Sequence, residues 1–169
     1  MNQKLKVDAL HDAALALEFT KDQLEKVKSD PRYWKWALLG TYDALHGFME
    51  GALGEGRVQS TSADADSLLA LYERIKSDEM RHQRSSRVFA PAPGQDESIK
   101  RISDLRKTLV YTPTRAWSLE PTELTRVITD GIKVVNFLIF DSGNVHLDRR
   151  LSTRLRALNA GLLQTLVTL

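Results

Sequence analysis

The sequence predicts an all-α protein, a helical bundle of about five helices followed by a leucine-rich C-terminal helix. Three observations predict it. Apolar residues recur at three- and four-residue spacing through every long segment, the period of one helix face and not the alternation of a half-buried strand. All 5 prolines fall between those segments or where one begins. A chain of 169 residues with 42% apolar and 27% charged side chains has the size and composition of one soluble domain with its own core.

The elements follow in order. Leu5, Leu10, Ala13, Ala14, Leu17, Leu24 and Val27 form the apolar stripe of a first helix over residues 4–29. Asp30-Pro31 ends it, because a residue before proline is pushed out of the helical region. Pro31 then suits the first turn of a second helix over 31–53, which carries Trp34, Leu38, Leu45, Phe48, Met49 and Ala52. Gly40 and Gly47 inside it each cost about 1 kcal/mol of helix propensity, a cost that close approach of a neighbouring helix offsets. This is therefore expected to be the buried central element.

Gly54 and Gly56 break the second helix, and a polar linker over 60–66 leads into a third over 66–80. Ala90-Pro91-Ala92-Pro93-Gly94 is a breaker. Ile99, Ile102, Leu105 and Leu109 mark a fourth helix over 96–111, stopped by Thr112-Pro113-Thr114. Pro121 opens a fifth over 122–141, whose wide apolar run from Val127 to Ile139 reads as largely buried. Residues 146–168 carry Leu147, Leu151, Leu155, Leu158, Leu162 and Leu166 as a narrow seam flanked by Arg149, Arg150, Arg154 and Arg156. Residues 1–145 thus form the bundle, and 146–169 a docking helix of the same domain. That helix either folds back on its own bundle or meets a second copy.

Composition excludes several chemistries. With 0 cysteines there are no disulfides, thiolate metal sites or cysteine nucleophiles. His11, His46, His82 and His146 are never paired at the spacing that sets two imidazoles on one helix face, so neither metal nor cofactor is expected. Phosphate-binding glycine loops and the Gly-x-Ser-x-Gly elbow are missing. No apolar stretch approaches the ~20 residues that span a bilayer, and no leader-like start is visible, so the expectation is a cytoplasmic protein off the membrane.

Charge is unevenly spread. Residues 1–73 carry 8 basic and 12 acidic side chains, whereas residues 74–115 carry 10 basic and 5 acidic. The basic stretch contains Arg74, Arg81, Arg84, Arg87, Lys100, Arg101, Arg106 and Lys107. Arginine grips phosphate bidentately, so Arg106, Lys107, Arg101, Arg81 and Arg84 are the candidate RNA contacts; a solvated helix surface is the plain alternative. Only Phe89 and Tyr111 are close enough in sequence to offer base stacking.

An ordered series of tracts carries a resemblance: Tyr33-Trp34-Lys35-Trp36, Ala44-Leu45-His46-Gly47-Phe48-Met49, Leu71-Tyr72 through Ile75-Lys76-Ser77-Asp78, Leu105-Arg106, Trp117-Ser118-Leu119-Glu120 and Asp141-Ser142-Gly143-Asn144. Together, over about residues 10–145, they resemble a group of uncharacterised bacterial proteins that is similar to the HEPN superfamily of helical domains. The resemblance implies a HEPN-like bundle, pairing into a homodimer through the helices that carry Arg106, and metal-independent RNA cleavage at that interface. The superfamily signature is an arginine followed five positions later by a histidine, the one holding the scissile phosphate and the other moving a proton.

Here the signature is degenerate. Arg106 matches the arginine, Lys107 takes the place of a customary asparagine, and Tyr111 stands where the histidine belongs. Tyr42 likewise stands where relatives often carry another histidine. A phenol of ordinary pKa near 10 is a poor base at neutral pH. The resemblance, with Arg106 and Tyr111 as its degenerate catalytic pair, therefore implies an interaction or RNA-binding module without nuclease activity. Two alternatives stand beside it. One is a metal-independent endoribonuclease using Arg106 with His46 or His82, and the other is a purely structural protein partner.

Overall fold

The computed structural model of the chain describes residues 8–54, 67–111 and 118–169. Among the described residues there are six α-helices: α1 (Ala9–Val27), α2 (Tyr33–Leu53), α3 (Leu68–Ile75), α4 (Gln95–Tyr111), α5 (Pro121–Asn136) and α6 (Arg149–Val167). A 3₁₀ turn (Asp78–Met80) follows α3, and a π-helical turn (Phe137–Asp141) ends α5. Among the described residues there is no strand, so the fold class is all-α. None of these helices is long and apolar enough to cross a membrane.

Local chemistry sets the helix ends. Asp8 caps α1 by accepting from the Leu10 N–H, Ser67 caps α3 through the Ala70 N–H, and Asp148 caps α6 through the Leu151 N–H. Pro121 occupies the first turn of α5, where its missing N–H is not needed. Two boundaries differ from the sequence expectation. The third helix was expected to run to residue 80 but stops at Ile75. Ser77 ends it: its hydroxyl donates to the Arg74 carbonyl at 2.8 Å and accepts from the Glu79 N–H at 3.2 Å, trading helix for a 3₁₀ turn. The fifth helix widens into its π turn at Phe137, where the Ser142 N–H reaches back five residues to the Phe137 carbonyl at 2.8 Å.

Helix α2 is the central element and packs against α1, α3, α4 and α5. Trp34, Leu38, Ala44, Leu45, Phe48 and Met49 are buried along it. Helix α1 lies so close that a Cβ on Gly47 would come within 2.8 Å of the Ala13 Cβ, and one on Gly40 within 3.2 Å of the Ala16 carbonyl oxygen. The two glycines therefore let the helix backbones approach, which offsets their poor propensity.

Helix α6 docks within its own chain, against α1 and α5. Leu151, Leu155, Leu162 and Leu166 of its seam are buried, and Leu147 and Leu158 pack partly buried against the core. Burial of each such leucine contributes about 1.5–3 kcal/mol before ordering costs. A buried amide contact, Asn159 Nδ2 donating to Asn136 Oδ1 at 2.6 Å, ties α6 to α5. Arg154 and Glu18 add an ion pair to α1 at 2.5 Å. The buried leucines of the seam are thus covered by α1 and α5 of the same chain.

The Ser142-Gly143-Asn144 tract is a structural bracket. Its Asn144 Nδ2 donates to the Met80 carbonyl at 2.8 Å, its Oδ1 accepts from the Ser86 hydroxyl at 2.6 Å, and the Gly143 carbonyl accepts from Gln83 Nε2 at 2.6 Å. Gly143 adopts φ of 75°, and a Cβ there would lie 2.9 Å from the Ser85 carbonyl oxygen, so only glycine fits.

Candidate functional site

A groove of about 560 Å³ runs between α1 and α2, with Arg106 of α4 on its wall. Its floor is made of small residues, among them Ala13, Ala16, Gly40 and Gly47, because the close helix crossing excludes larger ones. Its polar groups are Asp12, Tyr42, Asp43, His46, Glu50 and Arg106. Leu15 and Phe19 contribute apolar walls and stay 57% and 41% exposed, an unusual state for large apolar side chains beside a groove.

Three planar groups stack along its wall. The Arg106 guanidinium carbon lies 4.5 Å from the Tyr42 ring centroid, and the Tyr42 and His46 rings are near parallel, 22° apart in plane with centroids 6.2 Å apart. His46 and Tyr42 share a face because they are four residues apart on α2. His46 Nδ1 lies 3.5 Å from Glu50 Oε2, one further turn along. Among the described residues no acceptor takes a hydrogen bond from the Arg106 guanidinium, so the ring holds its face while its N–H edges stay open.

Asp43 is the electrostatically strained member. Desolvation by the groove walls raises its carboxyl above the ordinary range, Arg106 and then His46 pull it back down, and the like charge of Asp12 pushes it up. Neither Asp12 nor Asp43 has a cation at ion-pair distance among the described residues. The groove therefore holds three carboxylates, one arginine and one imidazole, and among the described residues neither Arg106 nor Asp12 nor Asp43 forms an ion pair.

The other residues singled out by sequence distribute differently. Tyr111 ends α4 and is 69% exposed, outside the groove. On one unbroken helix, residues five apart face about 140° away from each other, so Arg106 and Tyr111 diverge within a chain. Lys107 and Arg84 are exposed on the surface. Arg101 is engaged by Glu123, its Nε and Nη2 donating at 2.8 and 3.3 Å, which holds the Glu123 carboxyl below its usual range. Arg81 is engaged by Asp78 at 2.7 Å, and Arg74 of the same basic stretch by Glu79 at 2.8 Å. Internal pairing therefore breaks up the basic run that looked continuous in sequence. His82 lines a separate, smaller pocket of about 210 Å³ with His146, Asn144 and the C-terminal end of α2. Of the two histidines proposed to replace the signature imidazole, only His46 shares the groove with Arg106.

The groove carboxylates were not among the sequence candidates. A signal existed: Asp43, His46, Gly47 and Glu50 fall at the three- and four-residue steps of one helix stripe. No group of three or more potential metal ligands occurs among the described residues. Searches against protein-family models, curated proteins and solved structures find no match, so the HEPN-like placement rests on the ordered sequence tracts alone.

Proposed function

We propose that the chain is a HEPN-like interaction module that binds through the groove between α1, α2 and α4 and does not cleave RNA. The observation that carries this reading is Tyr111, a phenol 69% exposed at the end of α4, in the place where the resemblance expects the proton-moving imidazole. Arg106 lies on the groove wall against Tyr42, with no hydrogen-bond acceptor among the described residues, and nothing at position 111 supplies an imidazole to work with it. The three carboxylates around Arg106 further disfavour a polyanion at that point. Among the described residues, exposed Lys107 and Arg84 form no ion pair like those that occupy Arg81 and Arg101, and they are the cations of this reading that an RNA backbone would meet. Pairing into a homodimer belongs to the same proposal. Since the α6 seam is already covered, it rests on Val110 and Tyr111, 41% and 69% exposed at the end of α4.

The test is RNA degradation by purified protein without added metal, wild type beside Arg106→Ala, with light scattering at micromolar concentration for the mass. The expected result is no cleavage by either protein and a mass of two chains. Robust wild-type cleavage that Arg106→Ala abolishes overturns the reading.

One observation favours a second reading, a metal-independent endoribonuclease. His46 lies in the groove with Arg106 and has Glu50 3.5 Å from its Nδ1, the arrangement in which a carboxylate orients an imidazole as a base. In the same assay, cleavage lost in His46→Gln establishes that reading in place of the first.

A further inference from the structure

We propose that the α1–α2–α4 groove holds a small zwitterion, an α-amino acid with an apolar side chain, whose carboxylate meets the Arg106 guanidinium and whose ammonium lies between Asp12 and Asp43. This rests on the reading of the groove as a binding site and names its ligand class.

Arg106 and Asp43 share one groove and act on each other's charge, Arg106 pulling the carboxyl down, yet they do not come within ion-pair distance. The Arg106 guanidinium carbon sits 4.5 Å from the Tyr42 centroid, a contact that uses none of its N–H donors, and a carboxylate is the planar partner that takes two of them at once. Asp12 and Asp43 face each other's like charge without a cation at ion-pair distance among the described residues. A purely anionic ligand that satisfies Arg106 leaves that repulsion in place and adds to it. A purely cationic ligand that satisfies Asp12 and Asp43 leaves Arg106 unmet. A ligand carrying both signs a few ångströms apart satisfies both sets, and the α-amino acid head group is the smallest common one.

The rest of the groove fits the remainder of such a molecule. Beyond His46 and Glu50, which lie 3.5 Å from each other, the groove is lined by alanines and glycines, and Leu15 and Phe19 stand exposed beside it as an apolar wall. Its volume of about 560 Å³ is in the range of small-molecule sites and leaves room for a side chain beyond the head group. Tyr42 is already engaged by Arg106 and His46, so the side chain packs on the Leu15 and Phe19 wall and not on the phenol.

The experiment is isothermal titration of the full chain with L-leucine, with its amine-only analogue 3-methylbutylamine, with its acid-only analogue 4-methylpentanoate, and with inorganic phosphate. Saturable leucine binding is expected, at least about tenfold tighter than either analogue. Arg106→Gln should weaken leucine to the level of the amine, and Asp43→Asn to the level of the acid. Asp43→Asn is nearly isosteric and carries the test from the ammonium side if the arginine variant fails to fold. Absence of leucine binding up to roughly 10 mM, equal binding of either analogue, or indifference to both variants overturns the inference. Phosphate or an RNA oligonucleotide bound instead, and lost in Arg106→Gln, would keep the groove as a binding site while removing the zwitterion.

Discussion

The guanidinium of Arg106 rests against the ring of Tyr42, its carbon 4.5 Å from the ring centroid, so this α4 arginine is positioned by a side chain from α2. A cation over an aromatic face is worth about 0.5–2 kcal/mol, more as the site dries. Tyr42→Ala should therefore lower the unfolding free energy by roughly 1 kcal/mol, and Tyr42→Phe should leave it nearly unchanged, because the ring face and not the hydroxyl does the holding. Denaturant unfolding of the three proteins checks this. Equal loss in both variants would assign the effect to the hydroxyl.

Tyr111 predicts the opposite pattern. It is 69% exposed, so Tyr111→His should change stability by no more than about 0.5 kcal/mol. It should also produce no ribonuclease activity in a single chain, since an imidazole there projects about 140° away from Arg106 around the helix. Cleavage gained by this one substitution would mean that Arg106 and residue 111 meet across two copies.

The divergence of those two residues was legible in the sequence, since it follows from any unbroken helix through Gln95–Tyr111. The helices α2 and α4 were legible for a related reason: prolines and glycines punctuate them, and their apolar spacing is regular. The break after Ile75 was not, because it depends on two hydrogen bonds of one serine, which periodicity does not register. The groove was half legible. Its α2 stripe of Asp43, His46 and Glu50 is a matter of spacing, but Asp12 and Arg106 join it only through the packing of α1 and α4. The pairing of Arg81 with Asp78 is a matter of local spacing, but that of Arg101 was not legible, since Glu123 lies 22 residues away in sequence.

Gly47 sets propensity against packing. Alanine there gains about 1 kcal/mol of helix propensity but brings a methyl to within 2.8 Å of the Ala13 Cβ, on another helix backbone that has little room to retreat. Overpacking of this kind costs about 1–3 kcal/mol, so Gly47→Ala should be net destabilising by thermal unfolding. A stabilised variant would mean that α1 shifts freely.

Leu155 tests the docking of α6. It is fully buried, and Leu155→Ala should cost about 2–5 kcal/mol with no change in the mass in solution, because its partners are in the same chain. A change of oligomeric state in this variant would place the seam at an interface.

Asp43 gives the pH dependence. Its folded carboxyl titrates above the ordinary range, chiefly because the groove walls desolvate it, so the folded state binds the proton more readily than the unfolded state does. The sign follows by linkage: ionised Asp43 works against folding at neutral pH, and that penalty is relieved as the pH falls through the folded carboxyl's raised pKa. Asp43→Asn keeps the shape and removes the charge. It should therefore raise the melting temperature at neutral pH, and the gain should shrink to nothing under acid conditions where the wild-type carboxyl is already protonated. Because the side chain is partly exposed, solvent keeps the effect modest. Melting curves of both proteins from neutral to acid pH check it. A gain that persists unchanged into acid would assign the effect to packing or to the amide's hydrogen bonds, and a loss at neutral pH would mean that Arg106 outweighs the desolvation and Asp43 is a stabilising carboxylate.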